Sequence, residues 1–103
     1  MIADMDLQVW LATQERSAQP ALVVPYVRTD KDAHLNYSME VVKRGAAGSS
    51  RIRQGGSINA IAGTPTALAQ VAVDVKPDDA CYIEVMLRYA GAMHGPYRFD
   101  CPR

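Results

Sequence analysis

The sequence has no long hydrophobic run and few of the residues that catalysis or metal binding needs. No apolar stretch approaches the roughly 20 residues of a membrane-spanning helix, and the longest runs, such as 21–25, have the length of a strand. The two histidines, His34 and His94, lie far apart in the chain, and no His/Cys cluster has zinc spacing. The chain also lacks a nucleophile-elbow motif and a phosphate-binding loop. These absences predict a protein that is not an enzyme and binds no metal or cofactor.

A surplus of charge of one sign is also absent. Eleven Lys and Arg residues balance eleven Asp and Glu residues, whereas nucleic-acid-binding domains are usually clearly basic. We therefore expect neither nucleic-acid binding nor membrane insertion. The first residues, Met1 to Asp4, have neither the basic region nor the apolar region of a signal peptide. The chain is therefore expected to be either cytosolic or a mature exported chain with an added start Met.

What the chain does contain is a recurring alternation of apolar and polar residues, broken by turn residues about every ten positions. Its 103 residues are enough for one domain, spanning 1–103. The pattern predicts an all-β, immunoglobulin-like sandwich of about seven or eight antiparallel strands, with an open barrel as the alternative. The first predicted turn covers 17–20, and Pro25 makes the second strand an expected edge strand or bulge. The longest alternation places Leu35, Tyr37, Met39 and Val41 on one face.

The two cysteines, Cys81 and Cys101, are equidistant from Gly91, where the turn between the last two strands is centred. Residues equidistant from a hairpin turn face each other across the two strands. We therefore expect a disulfide, on the same face as Ile83 and Phe99, at a non-hydrogen-bonded site with the Cα atoms about 4.5 Å apart. Two reduced core cysteines are the alternative. A catalytic redox pair is a third interpretation, although there is no Cys-x-x-Cys motif.

Positive charge is concentrated in one stretch that contains no acid, with Lys43, Arg44, Arg51 and Arg53 in a predicted hairpin. Ile52 is expected to point inward between the two outward arginines, and Gly55-Gly56 to form a bulge. One interpretation is that the charges protect an edge strand from unwanted pairing. The other is that they form an electrostatic docking site for an acidic or extended partner.

An ordered series of short motifs in the same region resembles a known family. The run from Tyr37 to Ser50 continues into Gln54-Gly55-Gly56 and is followed by Gly63-Thr64-Pro65 and a Val-rich strand. The series is similar to the CsgH branch of the CsgC-like curli chaperones, and the similarity covers roughly residues 5–100. The Cys-x-Cys pair of the CsgC branch is absent here, so the resemblance adds nothing to a redox role.

The resemblance implies a periplasmic protein of a Gram-negative bacterium that keeps the amyloid-forming curli subunit non-fibrillar before export. We expect a monomeric, mature chain whose signal peptide has been removed. The predicted partner-binding residues are Lys43, Arg44, Arg51, Arg53, Gln54, Gly55 and Gly56. If these are not the site, Trp10, Tyr82 and Met86 are the next candidates. The alternative function is a structural or adhesive immunoglobulin-like subunit of a surface appendage, and a redox protein is the third.

Overall fold

All regular structure in the computed structural model, which describes residues 6–16 and 19–102, is β-strand. Met1 to Asp4 and two residues of the first predicted turn, Ser17 and Ala18, lie outside the described residues. Because none of the described residues is helical, none of them forms a helix capable of crossing a membrane. The strands are β1 (Leu7–Arg16), β2 (Gln19–Thr29), β3 (Ala33–Gly45), β4 (Gly48–Ala60), β5 (Thr66–Ala67), β6 (Val71–Val73), β7 (Ala80–Tyr89) and β8 (Ala92–Asp100).

These eight strands form two antiparallel sheets. In the first sheet, β2 pairs with β1 on one side and with both β5 and β6 on the other. The second sheet has the strand order β4-β3-β7-β8, so β4 and β8 are its outer strands. One hydrophobic cluster contains residues of both sheets. The predicted all-β sandwich of seven or eight strands is therefore confirmed.

The core consists of alternate residues of the central strands, because successive side chains of a strand point to opposite faces of a sheet. Leu35 and Met39 of β3 are buried, as the alternation predicts. They pack with buried residues of β2 and β7, namely Val23, Val27, Ile83, Val85 and Leu87. Most charged side chains of the second sheet lie on the face opposite the core, where the register places Glu40 and Glu84, and this arrangement positions the site described below.

Strand β2 differs from the sequence prediction, because it is a central strand although it contains Pro25. The backbone N–H of Leu68 donates to the carbonyl of Pro25 at 2.9 Å. This contact lies on the side where β2 passes from its pairing with β6, which ends at Val23, to its pairing with β5, which begins at Tyr26. The missing N–H of proline therefore falls in the gap between two short strands, where no ladder partner requires it.

Strand β4 also differs from the prediction, because Gly55 and Gly56 form no bulge and β4 pairs with β3 without a register shift. A Cβ atom on Gly56 would lie 3.2 Å from the Tyr37 hydroxyl, so this glycine makes room for the ring of its cross-strand partner. Ile52 points inward as predicted, since it pairs with the buried Val41. Because β4 is an outer strand, the residue is nevertheless 42% exposed.

Cys81 and Cys101 form the predicted disulfide, which closes the β7–β8 hairpin at its open end. The predicted face is also right, since Ile83 and Cys101 are buried and Phe99 packs against the core. The predicted non-hydrogen-bonded site is wrong. The N–H of Cys101 donates to the carbonyl of Cys81 at 3.2 Å, and the Cα atoms are 5.4 Å apart. These values are typical of a hydrogen-bonded antiparallel pair.

The turn of this hairpin consists of Ala90 and Gly91, both with positive φ, at 50° and 81°. Two positive values identify a type I′ turn, whose twist matches that of the flanking strands. The turn is therefore centred half a residue before Gly91. An irregularity opposite Met86, between Val85 and Leu87, restores the register that brings the cysteines together.

Candidate functional site

The outer face of the second sheet, opposite the core, carries a row of four charged side chains. The row runs across all four strands, because Arg53 pairs with Glu40, Glu40 with Glu84, and Glu84 with Arg98. We call these four residues the charge row. Its two glutamates face each other directly, an arrangement that is unfavourable when the charges are not compensated. Here an arginine flanks each of them.

Glu40 is bound by two arginines of β4. Its Oε2 atom accepts a hydrogen bond from Arg53 Nε at 2.8 Å, and its Oε1 atom lies 3.1 Å from Arg51 Nε. At the other end of the row, Arg98 Nη2 lies 2.9 Å from Glu84 Oε2. The hydrogen bond to Glu84 raises the pKa of Arg98 above its ordinary value. Arg98 also lies over the ring of Tyr82, 4.2 Å from its centroid, in cation–π geometry.

The cations of this face reach further into solvent than the carboxylates that bind them. The side chains of Arg51, Arg53 and Arg98 are 54%, 73% and 62% exposed, whereas those of Glu40 and Glu84 are 23% and 31% exposed. A partner that approaches the sheet therefore meets guanidinium groups first.

The surplus of charge on the whole outer face is also positive. By strand register, the face carries five arginines against three carboxylates, namely Arg44, Arg51, Arg53, Arg88 and Arg98 against Glu40, Glu84 and Asp100. Although the protein has no net charge, this face is therefore basic. Charge of one sign on one face attracts partners of the opposite sign and speeds their encounter.

The structure divides the predicted partner-binding residues between two faces. Arg44, Arg51, Arg53 and Gly55 share the outer face of the second sheet. The register places Lys43, Gln54 and Gly56 on the opposite face. There the Lys43 ammonium group donates to the carbonyl of Asp74 at 2.8 Å and so ties β3 to the end of β6.

The next candidates for the site, Trp10, Tyr82 and Met86, are also divided, here between the two sheets. Tyr82 and Met86 lie on the outer face of the second sheet, beside the charge row, because their cross-strand partners Val42 and Ser38 do so. Trp10 belongs to the first sheet, where it stacks on Tyr26 with ring centroids 5.8 Å apart. The structure therefore brings two of the three together with the arginines.

Sequence reasoning missed Glu40, Glu84 and Arg98 as members of the site. Two signals were available. Glu84 and Arg98 are equidistant from Gly91, just as the cysteines are, and Glu40 and Arg53 are equidistant from the turn at Ala46-Ala47. The pairing of Glu40 with Glu84 joins strands that no hairpin connects, and no local pattern in the sequence indicates it.

The histidines lie on opposite faces of the second sheet. His34 is on the outer face, with its Nδ1 atom 2.8 Å from the side-chain oxygen of Asn59. His94 pairs with the buried Leu87. Among residues 6–16 and 19–102, no three His, Cys, Asp or Glu side chains come together in a way that suits a metal ion. What the described side chains of this face offer is charge and hydrogen bonding for a partner.

Comparisons with known proteins point to one family. A protein-family model described as CsgH protein matches residues 21–92. The solution structure of CsgH from R. palustris is 22% identical in sequence, has a TM-score of 0.68, and aligns over 86% of this chain and 87% of its own. The E. coli curli protein CsgC is 20% identical, has a TM-score of 0.73, and aligns over 82% and 88% respectively. No curated protein matches the sequence. At these identities the two structures establish a shared fold.

Proposed function

We propose, from the premise that the chain belongs to the CsgH family, that it is a periplasmic chaperone which delays amyloid assembly of a curli-type fibre subunit. One observation carries the proposal, the surplus of exposed arginines on the outer face of the second sheet, in a fold shared with the E. coli curli protein CsgC. The Cys81–Cys101 disulfide supports an oxidising compartment such as the periplasm.

The proposed mechanism is transient electrostatic binding. Amyloid nuclei grow when a chain adds a strand to an exposed edge of the nucleus. A subunit whose acidic segments are held against Arg51 and Arg53 is withdrawn from that step while it is bound. Because the arginines are exposed and already share Glu40, each contact to the subunit is weak and reversible. Such a chaperone delays nucleation, and its client remains free to be exported.

The experiment is a fibrillation assay of a curli-type subunit with a substoichiometric amount of the purified protein, monitored by thioflavin fluorescence. The wild-type protein is expected to lengthen the lag time. The double variant Arg51→Gln/Arg53→Gln is expected to lose most of that delay, because it removes both exposed cations of β4.

The matched control is Arg28→Gln/Lys76→Gln, which removes two positive charges from exposed positions outside the outer face of the second sheet. It is expected to keep the wild-type delay. Equal delays for both double variants would show that the site lies elsewhere. If the wild-type protein causes no delay at any dose, the proposed function is wrong. If it polymerises by itself, the alternative of an appendage subunit is favoured.

A further inference from the structure

The outer edge of β4 is an unpaired strand edge, and it is unusually long and regular. Strand β4 has 13 residues, and residues 48–57 are all exposed. No strand of the described part of the chain pairs with its outer edge, and no register shift interrupts it. Soluble proteins commonly blunt such edges with bulges, prolines or short strands. The described residues of β4 contain none of these devices, and charge alone protects this edge.

The backbone groups that point away from β3 can be assigned from the register. Gly45 and Gly48 pair across the two-residue turn at Ala46-Ala47, so they form the hydrogen-bonded pair that closes it. Hydrogen-bonded and non-hydrogen-bonded pairs alternate along an antiparallel ladder. The N–H and C=O groups that point outward from β4 therefore belong to every second residue, namely Ser49, Arg51, Arg53, Gly55 and Ser57.

These same residues carry the side chains of the outer face. A strand laid along the edge of β4 would bond to the backbone of Arg51 and Arg53, and its side chains opposite them would lie beside the two guanidinium groups. Arg44, on the neighbouring strand β3 opposite Ser49, adds a third cation near this edge, and the nearby carboxylate is that of Glu40, also on β3. Gly55 has no side chain, and Ser49 and Ser57 have small ones. The backbone of a second strand can therefore approach closely.

We propose that the edge of β4 binds an extended acidic segment of another protein as an added strand, with Asp or Glu at alternate positions opposite Arg51 and Arg53. Strand addition of this kind gives affinity through main-chain hydrogen bonds and specificity through alternate side chains. A second copy of this chain is a poor occupant, because both edges carry the same positive charge, and an antiparallel β4–β4 contact centred on Ile52 would place Arg51 opposite Arg53. The fibre subunit of the proposed function is the expected source of this acidic segment, and only that identification rests on the proposed function.

The test uses three synthetic nonapeptides with blocked ends as probes. One alternates Glu and Thr, the second has the same sequence with every Glu N-methylated, and the third alternates Lys and Thr. The N-methylated peptide has the charge of the first but lacks the N–H groups of its Glu residues, which face β4 when Glu lies opposite Arg51 and Arg53, so it cannot form the ladder. The Glu-Thr peptide is expected to bind, and the other two are expected to bind weakly or not at all.

Amide hydrogen exchange, followed by NMR, gives the decisive readout. On binding of the Glu-Thr peptide, the N–H groups of Arg51, Arg53 and Gly55 are expected to become protected. Those of Ile52 and Gln54, which already bond to β3, are expected to exchange as before. Equal binding of the N-methylated peptide, or no new protection at these three residues, would overturn the proposal in favour of side-chain attraction alone.

A proline substitution in the protein itself, in place of a change in the peptide, tests the same edge. Ser57→Pro removes one outward N–H without changing charge, and Ser57→Ala is its control. The proline is expected to weaken binding of the Glu-Thr peptide by roughly threefold to tenfold, the equivalent of one hydrogen bond or slightly more. Equal affinity of the folded proline and alanine variants would contradict strand addition. These peptide results are independent of fibrillation, so either proposal can fail while the other stands.

Discussion

At the residue scale, Glu40 determines how strongly the β4 arginines attract a partner. Its two carboxylate oxygens contact Arg51 and Arg53 at 3.1 Å and 2.8 Å, so one negative charge is shared by two cations. The arginines are more than half exposed, and ion pairs of this kind contribute at most about 1 kcal/mol to stability. Glu40 therefore weakens the attraction of Arg51 and Arg53 for a partner more than it stabilises the fold.

The variant Glu40→Gln is accordingly expected to inhibit fibrillation better than the wild-type protein, because both guanidinium groups then keep their full charge for the client. Its free energy of unfolding in urea is expected to change by less than about 1 kcal/mol. The control is Glu84→Gln, which gives the same net charge but frees Arg98 at the far end of the charge row. An equal gain in lag time from both variants would show that net charge matters and position does not.

At the element scale, the β7–β8 hairpin holds one end of the charge row in place. Strand β8 is an outer strand, and it carries Arg98 opposite Glu84. The disulfide ties the residue after β8 to β7, with 20 residues of sequence separation. A cross-link of this length restricts the unfolded chain and stabilises the fold by about 3 kcal/mol on the chain-entropy account.

The double variant Cys81→Ala/Cys101→Ala is therefore expected to lose about 3 kcal/mol of unfolding free energy, measured by urea denaturation. The wild-type protein under reducing conditions serves as a second measurement and is expected to lose a similar amount. A loss below about 1 kcal/mol in both would show that hairpin packing alone, and not the bridge, fixes β8.

The elements also show what the sequence can and cannot predict. Alternation predicts the buried face of β3, because it depends on residues of one strand. Equidistance from Gly91 predicts the disulfide within one hairpin, and the pairing holds because the irregularity opposite Met86 offsets the actual turn centre between Ala90 and Gly91. The central position of β2 was not predictable in this way, because the tolerance of Pro25 depends on the gap between β5 and β6. The charge row was missed for a similar reason, since the pairing of Glu40 with Glu84 joins strands that are distant in sequence.

At the scale of the whole molecule, zero net charge conceals an uneven distribution. Eleven basic and eleven acidic residues cancel in the sequence, while the outer face of the second sheet carries five arginines against three carboxylates. A uniformly neutral protein would bind an acidic segment poorly and without preference for a face. The uneven distribution of charge gives this chain one basic surface. Salt screens the attraction between exposed charges, over about 10 Å at 0.1 M.

The most direct measurement is therefore the lag time of a curli-type subunit with substoichiometric protein as the salt concentration is raised. The delay, relative to subunit alone at the same salt, is expected to be long at low ionic strength. It should shrink steadily toward zero at about 0.5 M salt, where charge attraction is largely screened. A delay that stays constant across this range would contradict binding through the exposed arginines.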